Sequence, residues 1–188
     1  MWMKNEDELV EAVLEGDHSS FEVLLKPYRQ GLLNMAYRMT GDIEEAKEIC
    51  QEALIRVFRH LKTFRKGKSF KSWVYRITVN ATYDFLRAGK RQKEIVGSQL
   101  TSLDHASRGP EGYLLDKEIK RKIEHILQVL SPKEKLIFIL RDGRGFNIGE
   151  TAKILGCSSS SVRTHLSRAR RKIRDRFRED NDKRGIIR

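Results

Sequence analysis

The chain has 188 residues, 39% hydrophobic and 34% charged, enough for one domain or two small ones with modest cores. No window approaches the ~18 consecutive apolar residues of a membrane span. The acidic start, with Glu6, Asp7, Glu8 and Glu11, is the opposite of a secretory signal's basic opening. Two cysteines, Cys50 and Cys157, exclude a disulfide scaffold and a four-cysteine zinc site, and point to a reduced, cytoplasmic setting.

The formal net charge of +12 is unevenly placed. Residues 1–60 carry −5, 61–93 carry +9, 94–116 carry −3, 117–140 carry +3 and 141–188 carry +8. Two basic blocks separated by an acidic, irregular stretch fit two contacts with a polyanion; two solvated helix surfaces are the plainer alternative.

In chain order, helices are predicted over Glu6–Glu15 and Ser19–Thr40, the latter capped by Ser19 or Ser20 with Glu22 closing a capping box from Ser19. A break at Gly41-Asp42 precedes a long helix to about Leu61. Its apolar stripe is Ala46, Ile49, Cys50, Ala53, Leu54, Val57, Phe58 and Leu61. The opposite face is acidic, with Glu44, Glu45, Glu48 and Glu52 beside Gln51 and Arg56. Such a face repels phosphate and suits a basic protein partner. Carboxylates at 44, 48 and 52 could instead hold a divalent metal, but a four-residue repeat is the ordinary pattern of a solvated stripe.

A basic loop, Lys62–Ser69, leads to a helix from Phe70 to about Arg87 with two stripes. Val74, Ile77, Ala81 and Phe85 form a core face; Trp73, Arg76, Asn80, Tyr83 and Arg87 form a second one. Cations bind phosphates, and exposed aromatic rings stack on unpaired bases, so this stripe fits melted nucleic acid better than duplex. The loop residues Phe64, Arg65, Lys66, Lys68 and Ser69 stand beside it, placed to hold a flipped base. Taken alone, Trp73 is more often core than stacking platform.

Residues 95–111 break any helical period and predict a flexible linker, set at 94–112. Beyond it come a helix near Tyr113–Leu130, a capped one from Ser131-Pro132, and a helix-turn-helix over Ile148–Ile173. There Ile148, Thr151, Ala152 and Leu155 face inward, and Gly156 ends the first helix. Cys157-Ser158 form the turn, and Ser159, Ser160 or Ser161 caps the second helix. Val162, Leu166, Ala169 and Ile173 face in, while Ser160, Arg163, Thr164, Ser167, Arg168, Arg170 and Arg171 face out. That outer face suits a major groove. Gly149, inside the first helix, has no account in the sequence. The fold class is all-α, two small helical domains on a flexible linker, with domains at 1–93 and 113–178 and a tail, 179–188, expected to be disordered.

Three segments carry a family resemblance. Gly41–Leu54 resembles the core-polymerase-binding helix of bacterial RNA polymerase sigma factors of the extracytoplasmic-function group. Phe70–Ile77 with Asn80 and Asp84 resembles their promoter-melting segment, and Ile148–Arg170 their C-terminal helix-turn-helix. The resemblance implies a non-catalytic specificity subunit without cofactor, metal or membrane contact of its own. Asp42, Glu45, Glu48, Gln51, Glu52 and Arg56 would dock on the clamp helices of core RNA polymerase, and the C-terminal domain would meet its flap. The 64–69 loop with Trp73, Arg76 and Asn80, and Tyr83 and Arg87 beside them, would open and read the minus-ten element of promoter DNA. Ser159, Ser160, Ser161, Arg163, Thr164, Ser167, Arg168 and Arg171 would read the minus-thirty-five element as duplex. An anti-sigma protein is the further partner implied. The chain departs from the family at Lys47, at the Ser158–Ser161 run and at Gly143–Phe146. Outside the family, a free-standing DNA-binding regulator would need no acidic docking face. A DNA-processing enzyme would need a catalytic constellation that the five scattered histidines do not supply.

Overall fold

The computed structural model describes residues 5–96 and 117–183, with side chains described over 5–90 and 123–180. All regular structure among the described residues is helical, and the chain divides into two units, Met1–Ser107 and Arg108–Arg188. The first packs α1 (Glu6–Leu14), α2 (His18–Thr40), α3 (Ile43–His60) and α4 (Phe70–Val96), with a 3-10 turn at Leu61–Thr63. The second contains α5 (Lys117–Gln128), α6 (Pro132–Phe138), a π-helical turn at Ile139–Gly143, α7 (Ile148–Leu155) and α8 (Ser159–Lys183).

Local chemistry sets the boundaries in the first unit. Asn5 and Glu8 form a capping box that starts α1. At α2 the expected serine cap is corrected to Asp17. Its carboxylate accepts the Ser19 and Ser20 hydroxyls at 2.5 and 2.6 Å and the backbone N–H of both. Those hydroxyl bonds hold its pKa down to about 2. Pro27 lies inside α2 and cannot bond the Val23 carbonyl; Val23 is exposed, so water can take that acceptor. Gly41, at φ 83°, ends α2, and Asp42 caps α3.

The core of this unit is built on small residues. Ala36 of α2, Ala46, Ile49 and Ala53 of α3, and Ala81 of α4 form one buried cluster. Val57 and Leu61 are buried as the period predicts; Cys50 and Leu54 are only half-buried. Burial pushes the Cys50 thiol up to about 12. Phe58 leaves the stripe altogether: it is exposed, with its ring against Phe21 and His18 at 5.1 and 5.6 Å. On α4 the buried face is broader than the predicted stripe, adding Tyr75, Thr78, Val79 and Thr82. The two threonine hydroxyls donate to the Val74 and Thr78 carbonyls at 3.0 and 2.8 Å, so their burial leaves no donor unsatisfied. The helix runs past Arg87 to Val96, through the boundary expected at 93. Residues 97–112 of the expected linker, and 113–116 of the helix after it, lie outside the described residues.

In the second unit Ser131 caps α6 with Pro132 as its first residue, as the sequence predicts, and Glu134 closes the capping box. Glu134 is buried and also accepts from Lys172 of α8 at 2.7 Å. Gly143–Phe146 has a clear role: Gly145, at φ 73°, turns the chain so that Phe146 fills the core. Gly149 is the second residue of α7, and a Cβ there would sit 3.3 Å from the Oδ1 of the cap residue Asn147. Glycine therefore gives the cap room. After Gly156 (φ 61°), the cap of α8 is Ser158, not Ser159, Ser160 or Ser161; its hydroxyl accepts the Ser161 N–H at 3.2 Å. The helix continues to Lys183, so 179–183 of the expected disordered tail are helical, supported by Arg176 pairing with Glu179 at 3.3 Å and Asp180 at 3.9 Å. Residues 184–188 lie outside the described residues.

Burial alone would raise the Glu134 carboxyl, but hydrogen bonds from Lys172 and Ser131 outweigh it and hold it below the usual carboxylate range. A depressed carboxylate contributes stability above its unfolded pKa, about 4.3, and loses it as pH falls through the folded value. Glu134→Gln is therefore expected to lower stability at pH 7 and to flatten its decline between about pH 5 and pH 3. Urea midpoints by far-UV circular dichroism check this; an unchanged slope would remove Glu134 from the acid sensitivity.

Candidate functional site

On α4 the 3.6-residue period puts Trp73, Arg76, Asn80, Tyr83 and Arg87 along one stripe. Arg76, Asn80 and Arg87 are exposed and make no hydrogen bond or ion pair among the described residues; Trp73 and Tyr83 are half-buried. Trp73 is held by aromatic packing. Its ring lies 5.4 Å from Phe64 and 5.7 Å from Phe70, Phe64 meets Phe70 edge-on at 5.3 Å, and Tyr28 lies 5.9 Å from Phe70. Phe64 thus anchors the start of the basic loop. Ser69 ends it as the cap of α4, accepting the Ser72 N–H at 3.1 Å.

Between those anchors Arg65 and Lys68 are exposed and unpaired, but Lys66 and Gly67 are held from α1. Lys66 Nζ pairs with Glu11, and the N–H of Gly67, at φ 73°, donates to Asp7 Oδ2 at 3.2 Å. Tyr28 donates its hydroxyl to Glu6. Burial first, and that bond next, push the Tyr28 phenol far above its ordinary value. None of these contacts was readable in the sequence, because the partners stand 22 to 60 residues apart.

The acidic face of α3 divides by role. Asp42 is spent as the helix cap, accepting the Glu44 and Glu45 N–H groups at 2.8 and 3.0 Å. Glu48 and Gln51 are exposed and unpaired among the described residues, and Glu45 is half-buried. Arg56 is shared, bonding Glu52 at 2.8 Å and Asp84 of α4 at 2.7 Å. Bonds to Asp84 and Glu52 raise its already high pKa. Lys47 pairs with Glu44 at 2.8 Å, which removes its charge from the neighbouring acids. A groove runs between α3 and α4, lined by Glu48, Gln51, Glu52, Ile55, Asp84 and Phe85. Ile55, Asp84 and Phe85 are the residues sequence reasoning missed here. The available signal was Ile55 itself, an apolar residue four positions after Gln51 on a charged face. No group of three His, Cys, Asp or Glu among the described residues is arranged to hold a metal, the 44, 48 and 52 carboxylates included.

In the second unit, Ile137, Ala152, Val162 and Leu166 share one core cluster, so α7 and α8 pack through a small residue as the helix-turn-helix pattern requires. Ser160, Arg163, Thr164, Ser167, Arg168 and Arg171 are exposed, while Ser159 and Ser161 are half-buried in the first turn. Thr164 returns its hydroxyl to the Ser160 carbonyl at 3.0 Å. Arg170 leaves the outward set: it forks onto Asp142 of the π-helical turn at 3.0 and 2.6 Å.

Residues 24–92 match the model for Sigma-70 region 2, and residues 120–173 that for Sigma-70, region 4. The RNA polymerase sigma-H factor of Pseudomonas aeruginosa is 30% identical over 178 residues, covering 90% of this chain and 92% of that protein. The ECF RNA polymerase sigma factor SigW of Bacillus subtilis is 27% identical, covering 90% and 95%. The chain belongs to the extracytoplasmic-function sigma factors. It is a sigma factor of promoter-specific transcription initiation, in a family of polymerase subunits that are in general non-catalytic. Two solved structures share the fold. The sigma factor RpoE of Bartonella quintana, in complex with the anti-sigma factor NepR, aligns with a TM-score of 0.74 at 20% identity, over 85% of this chain and 98% of that one. CnrH, in complex with the cytosolic domain of CnrY, aligns at 0.69 and 19%, over 92% and 96%. No helix among the described residues of this sigma factor is long and apolar enough to cross a membrane.

Proposed function

We propose that this sigma factor divides its work among three faces. The acidic face of α3 docks on the clamp helices of the polymerase's largest subunit through Glu48 and Gln51, with Asp42, Glu45, Glu52 and Arg56 around them and Ile55 as an apolar anchor in the groove. The α4 stripe and the 64–69 loop open and read the minus-ten element. Residues 159–171 read the minus-thirty-five duplex, and the second unit also meets the flap. The chain itself catalyses nothing and acts in the cytoplasm. An anti-sigma protein, the kind of partner found with the structural relative RpoE of Bartonella quintana, would compete for the acidic groove.

One observation carries this reading most: α3 and α4 share a single alanine-lined core yet present faces of opposite character. Among the described residues, Glu48 and Gln51 on one have no partner, and Arg76, Asn80 and Arg87 on the other have none. A nuclease or free-standing duplex binder has no use for an acidic face on one helix beside a cationic one on the next. Melted strand on α4 and a basic protein surface on α3 use both.

Co-elution with bacterial core polymerase tests the docking face. Glu48→Lys with Glu52→Lys is expected to abolish co-elution, and Ile55→Ala to weaken it about tenfold, in keeping with a buried apolar anchor. No binding to core, with tight specific binding of duplex DNA by the free chain, would replace this reading with a free-standing regulator.

The two DNA faces separate by template. Asn80→Ala and Arg76→Ala are expected to slow opening of duplex promoter while leaving core binding unchanged and initiation from a pre-opened template much less affected. Arg168→Ala is expected to lower occupancy of the upstream element ~10- to 100-fold, the usual range for losing an Arg contact to guanine. Trp73→Phe is the control that keeps ring packing against Phe64 and Phe70. Equal loss of core binding and opening in the α4 variants would refute that assignment.

A further inference from the structure

We infer that α1 is an internal electrostatic mask: the carboxylates of Asp7 and Glu11 occupy the loop donors that a strand phosphate would take, so that the free chain holds single-stranded DNA weakly. This deepens the reading of the 64–69 loop as a contact for melted strand and rests on it.

The chemistry of the contact is the first argument. Lys66 offers an ammonium and Gly67 a backbone N–H from a left-handed turn, the pairing of cation and exposed amide that suits an anion. Both are met by carboxylate oxygens, the side-chain groups nearest in charge and acceptor capacity to a phosphate. From its N-cap to its C-cap, residues 5 to 15, the α1 segment carries Glu6, Asp7, Glu8, Glu11 and Glu15 and no Lys or Arg. It is therefore a one-signed surface laid against the most basic block of the chain.

The second argument is how α1 is held. Leu9, Val10 and Val13 are buried, Asn5 and Glu8 cap its start, and Glu6 takes the Tyr28 hydroxyl, so the carboxylates are delivered by packing and local bonds. The mask itself is breakable. The Lys66 and Glu11 side chains are 59% and 47% exposed, so water and salt weaken their attraction. A phosphate brought to the loop by an assembled promoter complex can displace Glu11, whereas random single strand must first compete with it. Arg65 and Lys68, unpaired among the described residues, would make the first encounter. The helix also precedes residues 24–92, the stretch that matches Sigma-70 region 2.

The test is fluorescence anisotropy of a labelled 12-nucleotide single-stranded DNA with the full-length chain over a salt series. Glu11→Gln is expected to raise affinity about fivefold near 0.1 M salt and to steepen the slope of log K against log salt by ~0.7, the value for one phosphate released to a cation on single strand. Glu15→Gln removes the same charge from the same helix but no contact, and is expected to change affinity less than twofold. Adding Lys66→Ala to Glu11→Gln is expected to cancel the gain. Unchanged or reduced affinity in Glu11→Gln, when the wild type binds, overturns the mask alone. Binding by neither protein overturns both the mask and the loop reading. A gain equal to that of Glu15→Gln reduces α1 to general repulsion and also overturns it.

Discussion

The constraint on which the first unit depends is the close junction of α2, α3 and α4 at alanine. Ala36, Ala46, Ala53 and Ala81 are buried in one cluster with Ile49. Methyl side chains let three helices approach, and a larger residue at any of these points would strain the junction by about 1–3 kcal/mol. The consequence is functional. Two helices packed through alanine leave open their outer faces and the shallow groove between them, and the residues on those faces have opposite chemistry. Arg56, bonded to Glu52 and Asp84 across the groove, marks the line where the two meet.

That junction also explains why acids recur beside the basic segment without cancelling it. The carboxylates of α1 meet the 64–69 loop directly, at Lys66 and Gly67. On α3, Glu48 and Gln51 are unpaired among the described residues, and the one α4 acid described there, Asp84, is turned to Arg56. The −5 of residues 1–60 is thus split between acids that meet a cation or amide of the loop and acids that stay exposed to solvent. A charge total cannot distinguish the two, because they differ only in which acids find an intramolecular cation.

What was legible in the sequence was periodic or local. Buried positions at three-four spacing, Gly41-Asp42, Ser131-Pro132 and Gly156 all announce themselves through side-chain type and neighbours, and each stands where expected. Errors arose where several residues carry the same signal. Ser159, Ser160 and Ser161 are equal cap candidates in the sequence, with Ser158 read as turn, yet it is the Ser158 hydroxyl that accepts the Ser161 N–H. At α2 an Asp two residues ahead of a serine pair out-competes it, because one carboxylate can accept both hydroxyls. Helix ends were underestimated at Arg87 and beyond residue 178, where polar sequence hides a helix supported by ion pairs and by its own continuation. The loop tether, the groove and the Phe64–Phe70–Trp73 cluster depend on tertiary approach and leave no periodic trace.

The second unit shows the same limit from the basic side. Residues 141–188 carry +8, but much of that charge is already engaged. Arg170 is forked onto Asp142, Lys172 is bonded to buried Glu134, and Arg176 meets His125, Glu179 and Asp180. These cations brace α8 against α5, α6 and the π-helical turn. Arg163, Arg168 and Arg171 have no such partner among the described residues. The cations that brace α8 and those left exposed on it are therefore different residues, and an arginine already forked onto a carboxylate cannot also span a base edge. The exposed cationic surface of α8 is narrower than the charge suggests, and it is held in place by cations that a charge count would have left free.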